Sequence, residues 1–317
     1  MPVFPLPKFA GHFQLKPLAL RALAEVIGWA QDFWYDPPPQ PKTSFKASPA
    51  PKPSSSESQP ERALLNSWNA DRPQILEKIW GEGEIAPGGE YLNKLLVAPL
   101  GLQPDNSVID LASGLGNLPR MLATKFNVYV TGLEPDPQLA VRGLEQSIRA
   151  GKGKHASISP YDLPSFTAER AYDCVIAREL FYRVPNKQAF FVELAKAVKP
   201  KGQLAFTDFV LNPEARHSTP ILEWLGFEAG AAPLAEAEIV AHLKQHGFDV
   251  RVSDDQTKFY QQEILHGLAN FAQFLKRHQL DDATRVLVRG EIEVWARRAA
   301  AFASGLRLVR FHALAKG

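Results

Sequence analysis

Val108-Ile109-Asp110-Leu111-Ala112-Ser113-Gly114-Leu115-Gly116-Asn117-Leu118 decides how this chain folds. Val108 to Leu111 is a short apolar run with one acid, the pattern of a strand buried in a sheet. Gly114 and Gly116 carry no Cβ, so the backbone there can turn tightly and approach a ligand closely. Pro119 suits the first turn of a helix, where its missing N–H costs nothing. Strand, glycine turn and helix in this order cradle a nucleotide-like ligand at the carboxyl end of a parallel strand. A dinucleotide fingerprint would need a third glycine where Pro119 stands.

Strands and helices alternate beyond this turn, which predicts a parallel α/β sheet. Strands are expected at 107–111, 128–134, 154–158, 173–178, 203–208, 248–252 and 306–315. The last alternates apolar and basic residues, as expected near a sheet edge. Helices are expected at 61–80, 90–97, 117–126, 137–150, 186–198, 235–246, 257–278 and 281–303. The Lys199-Pro200-Lys201-Gly202 breaker ends the fifth of these. Residues 211–234, with Pro213, Pro220, Trp224, Phe227 and Pro233, read as an irregular apolar cap over a substrate pocket.

Acids fall at the carboxyl ends of these strands. Glu134 closes the second strand 24 residues after Asp110, where a carboxylate can accept from two ribose hydroxyls. Asp136 is its rival, and a solvated loop acid is the plain alternative for either. Asp162, in Ser159-Pro160-Tyr161-Asp162-Leu163-Pro164, can accept from an adenine amino group while Tyr161 or Leu163 packs on the ring. Glu179, Tyr182, Arg183 and Asp208 stand at the edge where such sheets hold their sites. Each also has a structural reading: Glu179 can pair with Arg178, and Asp208 can cap the following turn. The glycine-rich loop Gly81 to Gly89 precedes the first strand and can close over a ligand as a lid.

The N-terminal part differs in composition. Residues 16–35 have the apolar period of an amphipathic helix, a docking element or an interfacial membrane anchor, though Lys16 and Arg21 give little attraction to lipid. Residues 36–60 are rich in Pro, Ser and Lys and are expected to be disordered. The expected divisions are an N-terminal helix at 1–35, a linker at 36–60, lid helices at 61–105, a ligand-binding core at 106–210, and a cap with the last strands and helices at 211–317.

Composition removes several function classes. Lys+Arg at 36 against Asp+Glu at 34 leave a net charge of +2, with no nucleic-acid signature. The basic residues Arg285, Arg289, Arg297 and Arg298 are interleaved with Glu291 and Glu293, as on a solvated helix face. No metal is expected: His242 and His246 share a helix face, but no cysteine or acid completes a ligand set. No apolar run is long enough for a spanning helix. One cysteine, Cys174, and the lack of a secretory signal pattern point to a reducing, cytoplasmic location.

Taken together, Asp110-x-Ala112-x-Gly114-x-Gly116, with Ala112 in place of the usual first glycine, resembles the first motif of class I S-adenosylmethionine (SAM) methyltransferases. Residues 65–316 are more narrowly similar to the phosphoethanolamine N-methyltransferase group. The shared features are the Gly81-Glu82-Gly83-Glu84-Ile85-Ala86-Pro87-Gly88-Gly89 lid, the Asp110 to Gly116 turn, Arg178-Glu179, the Lys199 to Gly202 turn and Thr207-Asp208. The resemblance implies a Rossmann-like sheet of seven strands, mostly parallel with the last antiparallel, and a helical cap. It implies SAM as cofactor, held by Ile85, Asp110, the Ala112-Ser113-Gly114 and Gly116 turn, Glu134, Asp162, Leu163 and Arg178. On the acceptor side the family's Tyr–His pair falls on Trp68 and Arg183, and its phosphate-binding Arg and Tyr fall near Ala229 and Ala231. With those anchors gone, residues 229–234 are expected to form a roomier apolar wall. The expected function is methyl transfer to a small, largely apolar acceptor of lipid, quinone or secondary-metabolite type, with Glu179, Tyr182, Arg183 and Asp208 as candidate catalytic residues. The alternative is a non-catalytic scaffold of the same fold that docks through residues 1–60.

Overall fold

The computed structural model describes residues 66–317. The expectations for residues 1–35 and 36–60, and the start of the helix expected at 61–80, lie outside the described residues.

Seven strands form one sheet: β1 (Ser107–Asp110), β2 (Tyr129–Glu134), β3 (Ala156–Pro160), β4 (Tyr172–Arg178), β5 (Val198–Leu211), β6 (Phe248–Asp255) and β7 (Leu306–Ala315). Their order is β3-β2-β1-β4-β5-β7-β6. β1 to β5 pair in parallel, and β7 runs antiparallel to both β5 and β6. This is the Rossmann-like, mostly parallel seven-stranded architecture expected from the sequence. Nine helices accompany it among the described residues: α1 (Arg72–Trp80), α2 (Gly89–Val97), α3 (Asn117–Lys125), α4 (Pro137–Arg149), α5 (Lys187–Ala197), α6 (Thr219–Phe227), α7 (Glu236–Gln245), α8 (Thr257–Leu275) and α9 (Asp282–Ala303). None is long and apolar enough to cross a membrane.

The period of two along the strands sorts side chains to the two faces. Ile109, Val175 and Ala177 pack on one face with Phe190, Phe191 and Leu194 of α5 and Ile239 and Leu243 of α7. Val108, Cys174 and Ile176 face the other way, onto Leu118 and Leu122 of α3 and Leu96 of α2. A third cluster joins α1, α6, α8 and α9 over the sheet through Ile75, Tyr182, Phe209, Trp224, Tyr260 and Trp295. His242 stacks on Phe191 at 4.8 Å in the outer layer of the core.

Three expectations change. The strand 306–315 is interior, not an edge. Its polar residues are consumed by partners instead of facing water: Arg307 meets Asp255 and Glu236 (both 2.9 Å), Arg310 meets Asp254 (2.8 Å), and His312 meets Gln203 (2.9 Å). The cap 211–234 is not wholly irregular, because Pro220 falls in the first turn of α6, where it is tolerated. The first lid helix starts at Arg72. Asp71 accepts from the Gln74 N–H and the Gln74 side chain accepts from the Asp71 N–H (both 2.9 Å), a capping box that fixes this end. Before it, Asn66–Ser67 pairs with His278–Gln279.

The turn after β1 depends on Gly116, which starts α3 at φ +82°. A Cβ there would lie 2.4 Å from Ile158 Cδ1 and 2.8 Å from an Arg120 guanidinium nitrogen. Gly116→Ala therefore combines backbone strain with a clash against a core side chain, and is expected to destabilise the fold by at least about 1 kcal/mol, read as a lowered urea midpoint at unchanged slope.

Candidate active site

One cleft opens at the carboxyl edge of β1, β2 and β4, between the glycine turn, the lid and α9. With the lid seated, the cavity measures about 240 Å³, just below the ~300–1,000 Å³ of common small-molecule sites. Ile85, Ala112, Ser113, Gly114, Glu134, Arg178, Glu179, Tyr182 and Arg183 all line it. Asp110, Gly116, Asp162, Leu163 and Asp208 do not.

The lid is seated on the turn. Ile85 lies where a Cβ on Gly114 would come within 3.0 Å of it, so only glycine lets lid and turn meet this closely. Glu84, next to Ile85, is 7% exposed. Its carboxylate accepts from Asn93 of α2 (2.8 Å) and from Asn117 at the start of α3 (2.5 Å), and pairs with Arg178 (3.3 Å). The Arg178 guanidinium also donates to Asn93 (2.8 Å) and to the Pro87 carbonyl (2.8 Å). Burial alone would lower its affinity for its proton; the carboxylates of Glu179 and Glu84 outweigh that and hold it above the ordinary value.

The two acids after β2 take different roles. Glu134 accepts from the backbone N–H of Gly114 (2.7 Å) and of Asp136 (2.9 Å), and burial pushes its carboxyl up to about 7. Asp136 caps α4 by accepting from Gln138 (2.9 Å), and its other oxygen pairs with Arg72 (2.8 Å). Arg72 reaches Glu291 of α9 with its Nε, and so ties α1 to both sides of the cleft mouth. Behind the turn, Asp110 accepts from the Ala112 N–H (3.1 Å), its second oxygen is buried without a hydrogen-bond partner, and burial pushes it up to about 7.

Beyond β4, Glu179 adopts φ +47°, a conformation that side chains other than glycine rarely take. Its N–H donates to the Thr207 carbonyl (2.8 Å) and its carboxylate accepts from the Thr207 hydroxyl (3.2 Å). Strained residues of this kind gather at functional sites. Tyr182 is buried, and its hydroxyl donates to Glu228 and accepts from Arg298 (3.1 Å). Arg298 also pairs with Glu228 (2.6 Å), which accepts from the Trp224 indole too (2.8 Å). Against burial, that guanidinium and these donors pull Glu228 down to about 2. Asp208 lies below the cleft, accepts from the Tyr182 N–H (3.1 Å), and is pushed by burial up to about 8. Arg183 is exposed at the cleft rim.

Other residues expected at the site sit away from the cleft, for packing reasons. Asp162 accepts from the Ser165 hydroxyl and borders a separate groove with Thr131 and Tyr172. Leu163 packs in the core, and the Tyr161 hydroxyl donates to the Leu111 carbonyl (2.9 Å) across the strand ends. Trp68 stands edge-on to Phe271 and Phe274. The 229–234 stretch runs behind the Tyr182 turn, where the Ala232 N–H donates to the Tyr182 carbonyl (2.8 Å), and is not a cleft wall. Glu84, Arg72, Glu291 and Arg298 line the site without being marked as such in the sequence, and Glu228 backs it through Arg298. The solvated helix face expected for Glu291 and Arg298 does not hold, because both turn inward to ion-pair with Arg72 and Glu228. A charge inside the glycine-rich lid is the one local signal for Glu84; the others meet partners far along the chain.

Residues 86–252, more than half of the chain, match the methyltransferase domain family. Phosphoethanolamine N-methyltransferase 1 of Triticum aestivum is 25% identical over 223 residues, 68% of this chain and 39% of the relative. The 27-O-demethylrifamycin SV methyltransferase of Amycolatopsis mediterranei is 23% identical over 208 residues, 58% of this chain and 73% of the relative. The fold superposes on phosphoethanolamine N-methyltransferase 2 of Haemonchus contortus, solved with S-adenosyl-L-methionine, with a TM-score of 0.67 at 20% identity, covering 77% of this chain and 56% of that one. The chain spans well under half the length of the curated plant relatives it matches. With its glycine turn, seated lid and strand-end acids, this chain belongs to the methyltransferase domain family.

Proposed function

We propose that this chain methylates a small acceptor bearing an acidic oxygen on an otherwise largely apolar frame. The observation that carries this reading is Arg183. Its guanidinium lines the cleft, no carboxylate forms an ion pair with it among the described residues, and Leu180, Val294 and Trp295 line the same space. A phenol, enol or carboxylic acid offers the matching chemistry: an anionic oxygen for the cation and a ring or chain for the walls.

The residues present fit the cofactor. The close seat of Ile85 on Gly114 leaves a backbone surface suited to the nucleoside. Glu134 is held only by backbone N–H groups, so ribose hydroxyls can replace them. The unpartnered Nε of Arg178 offers a donor complementary to an amino acid's carboxylate, while the unpartnered buried oxygen of Asp110, behind the turn, reaches the ammonium only if the turn shifts. In this reading Asp162 and Leu163 reach the adenine only if their loop shifts toward the cleft.

When bound, the cofactor supplies a sulfonium methyl, which passes to the acceptor oxygen while the C–S electron pair stays on sulfur. Arg183 holds that oxygen in its anionic form. Glu179 takes the proton it gives up, from a backbone position already fixed by Thr207. Tyr182, tied to Glu228 and Arg298, forms a rigid floor, and Asp208 positions it through its backbone N–H. The seated lid and Trp295 exclude water and align the two reactants, which is most of what an in-line displacement with a good leaving group requires.

Glu134→Ala should weaken S-adenosylhomocysteine binding by about 1–3 kcal/mol, the loss of hydrogen bonds to a charged group, as read by calorimetry. Ribose hydroxyls donate to the ionised carboxylate, and in the free protein that group titrates at about 7. Affinity should therefore rise as pH increases from 6 to 8, and Glu134→Gln should flatten the rise. Unchanged affinity in Glu134→Ala would remove Glu134 from the ribose site. For the acceptor, S-adenosylhomocysteine formation across a panel of phenols, hydroxyquinones, carboxylic acids and amines should favour the acidic oxygens. Arg183→Ala should raise KM for the preferred compound about tenfold or more. Turnover restricted to amines would overturn this acceptor class.

A further inference from the structure

Arg178 stands between two carboxylates that pull it in different directions. On the lid side its Nη atoms meet Glu84 (3.3 Å), Asn93 (2.8 Å) and the Pro87 carbonyl (2.8 Å). On the other side Glu179 approaches Nε only to 3.7 Å, too far for a hydrogen bond. Nε is buried and has no acceptor. An arginine side chain has several rotatable bonds, and nothing in its own structure prevents the guanidinium from collapsing onto Glu179. The lid-side grip prevents it, and Glu84 is the one charged member of that grip. Glu84 is itself fixed by the amides of Asn93 and Asn117, so the lid, α2 and α3 converge on one carboxylate.

We propose that Glu84 is a positioning residue for the cofactor: it holds Arg178 so that the free Nε–H faces the cleft and meets the carboxylate of the cofactor's amino-acid end. This rests on the cofactor reading above. Its consequence is that lid and cofactor share one guanidinium. A ligand with the carboxylate completes the hydrogen bonding of Arg178, and a ligand lacking it leaves that donor unsatisfied. The site should therefore discriminate strongly against nucleosides without the amino-acid end, and Glu84 should set the degree of discrimination without touching either ligand.

S-adenosylhomocysteine and 5′-methylthioadenosine, which lacks the amino-acid carboxylate, test this by calorimetry on the full chain. The unaltered protein should bind the first at least about tenfold more tightly than the second, as one hydrogen bond between charged groups requires. Glu84→Gln keeps the size of the side chain and removes its charge. It should reduce that ratio about tenfold, through weaker S-adenosylhomocysteine binding, with methylthioadenosine nearly unchanged. Glu84→Asp should fall between the two. Equal weakening of both ligands would mean that Glu84 only supports the lid, and would overturn the proposal, as would an unchanged ratio. An unaltered protein that binds both ligands equally would also overturn it while leaving the cofactor reading intact. Binding of neither would remove the cofactor reading itself.

Discussion

Arg178 carries a full positive charge to the end of the central strand β4, where its side chain is only 10% exposed. A charge out of water must be paired and hydrogen-bonded, or it destabilises the fold by several kcal/mol. β4 cannot supply those partners, because its own polar groups are committed to β1 and β5. They come instead from the loop before the sheet: Glu84, Pro87 and, one helix later, Asn93. The same need that satisfies the arginine thus draws the lid over the glycine turn. Ile85 follows Glu84 onto Gly114, and the roof of the cleft forms where the guanidinium is neutralised.

The far wall is built by the same means with different residues. Arg298 enters the cleft from α9 and is met by Glu228 and Tyr182 from the α6 side. Arg72 links Asp136 at the start of α4 to Glu291 on α9. Apolar contacts would close such a cap as firmly, since buried ion pairs add little net stability. What the charged pairs add is a fixed register between elements distant in the chain. A cleft bounded by them keeps its shape when it is empty, which reduces the ordering cost of binding. Arg183 differs from these cations in having no carboxylate partner among the described residues, and the proposed acceptor preference rests on that difference.

What is legible in the sequence is local. The alternation along Ile109, Val175 and Ala177 against Val108, Cys174 and Ile176 fixes which face each strand residue takes, and it is visible at a glance. The Gly114–Gly116 turn is equally visible, because a positive φ calls for glycine within a few residues of the strand end. The contacts of Glu84 with Arg178, of Arg72 with Glu291 and of Glu228 with Arg298 join positions far apart in the chain, and no local pattern marks them. The edge-strand expectation for β7 fails for the same reason. Basic residues alternating with apolar ones look like an edge strand facing water, and only the paired β6, with Asp254 and Asp255, shows that those cations are neutralised inside the sheet. Helix α6 is hidden by Pro220 and Gly226, since a first-turn proline and a breaker look the same until the backbone is traced.

Strand-end acids also need the structure to tell them apart. Asp110, Glu134 and Asp208 all stand at the ends of strands or close to them, and burial pushes all three upward: to about 7, about 7 and about 8. By residue type and titration they are alike. They differ in access and in what holds them. Asp208 faces the Tyr182 backbone below the cleft, and Asp110 lies behind the turn. Glu134 alone of the three lines the cleft, and its partners there are two backbone N–H groups that can be shared with a ligand hydroxyl. Asp136, beside it, also lines the cleft, but one oxygen caps α4 and the other pairs with Arg72, so a ligand would have to break a helix cap or an ion pair to use it. Exchangeable partners, more than position along the chain, are what set Glu134 apart from the other two, and the proposed ribose role rests on them.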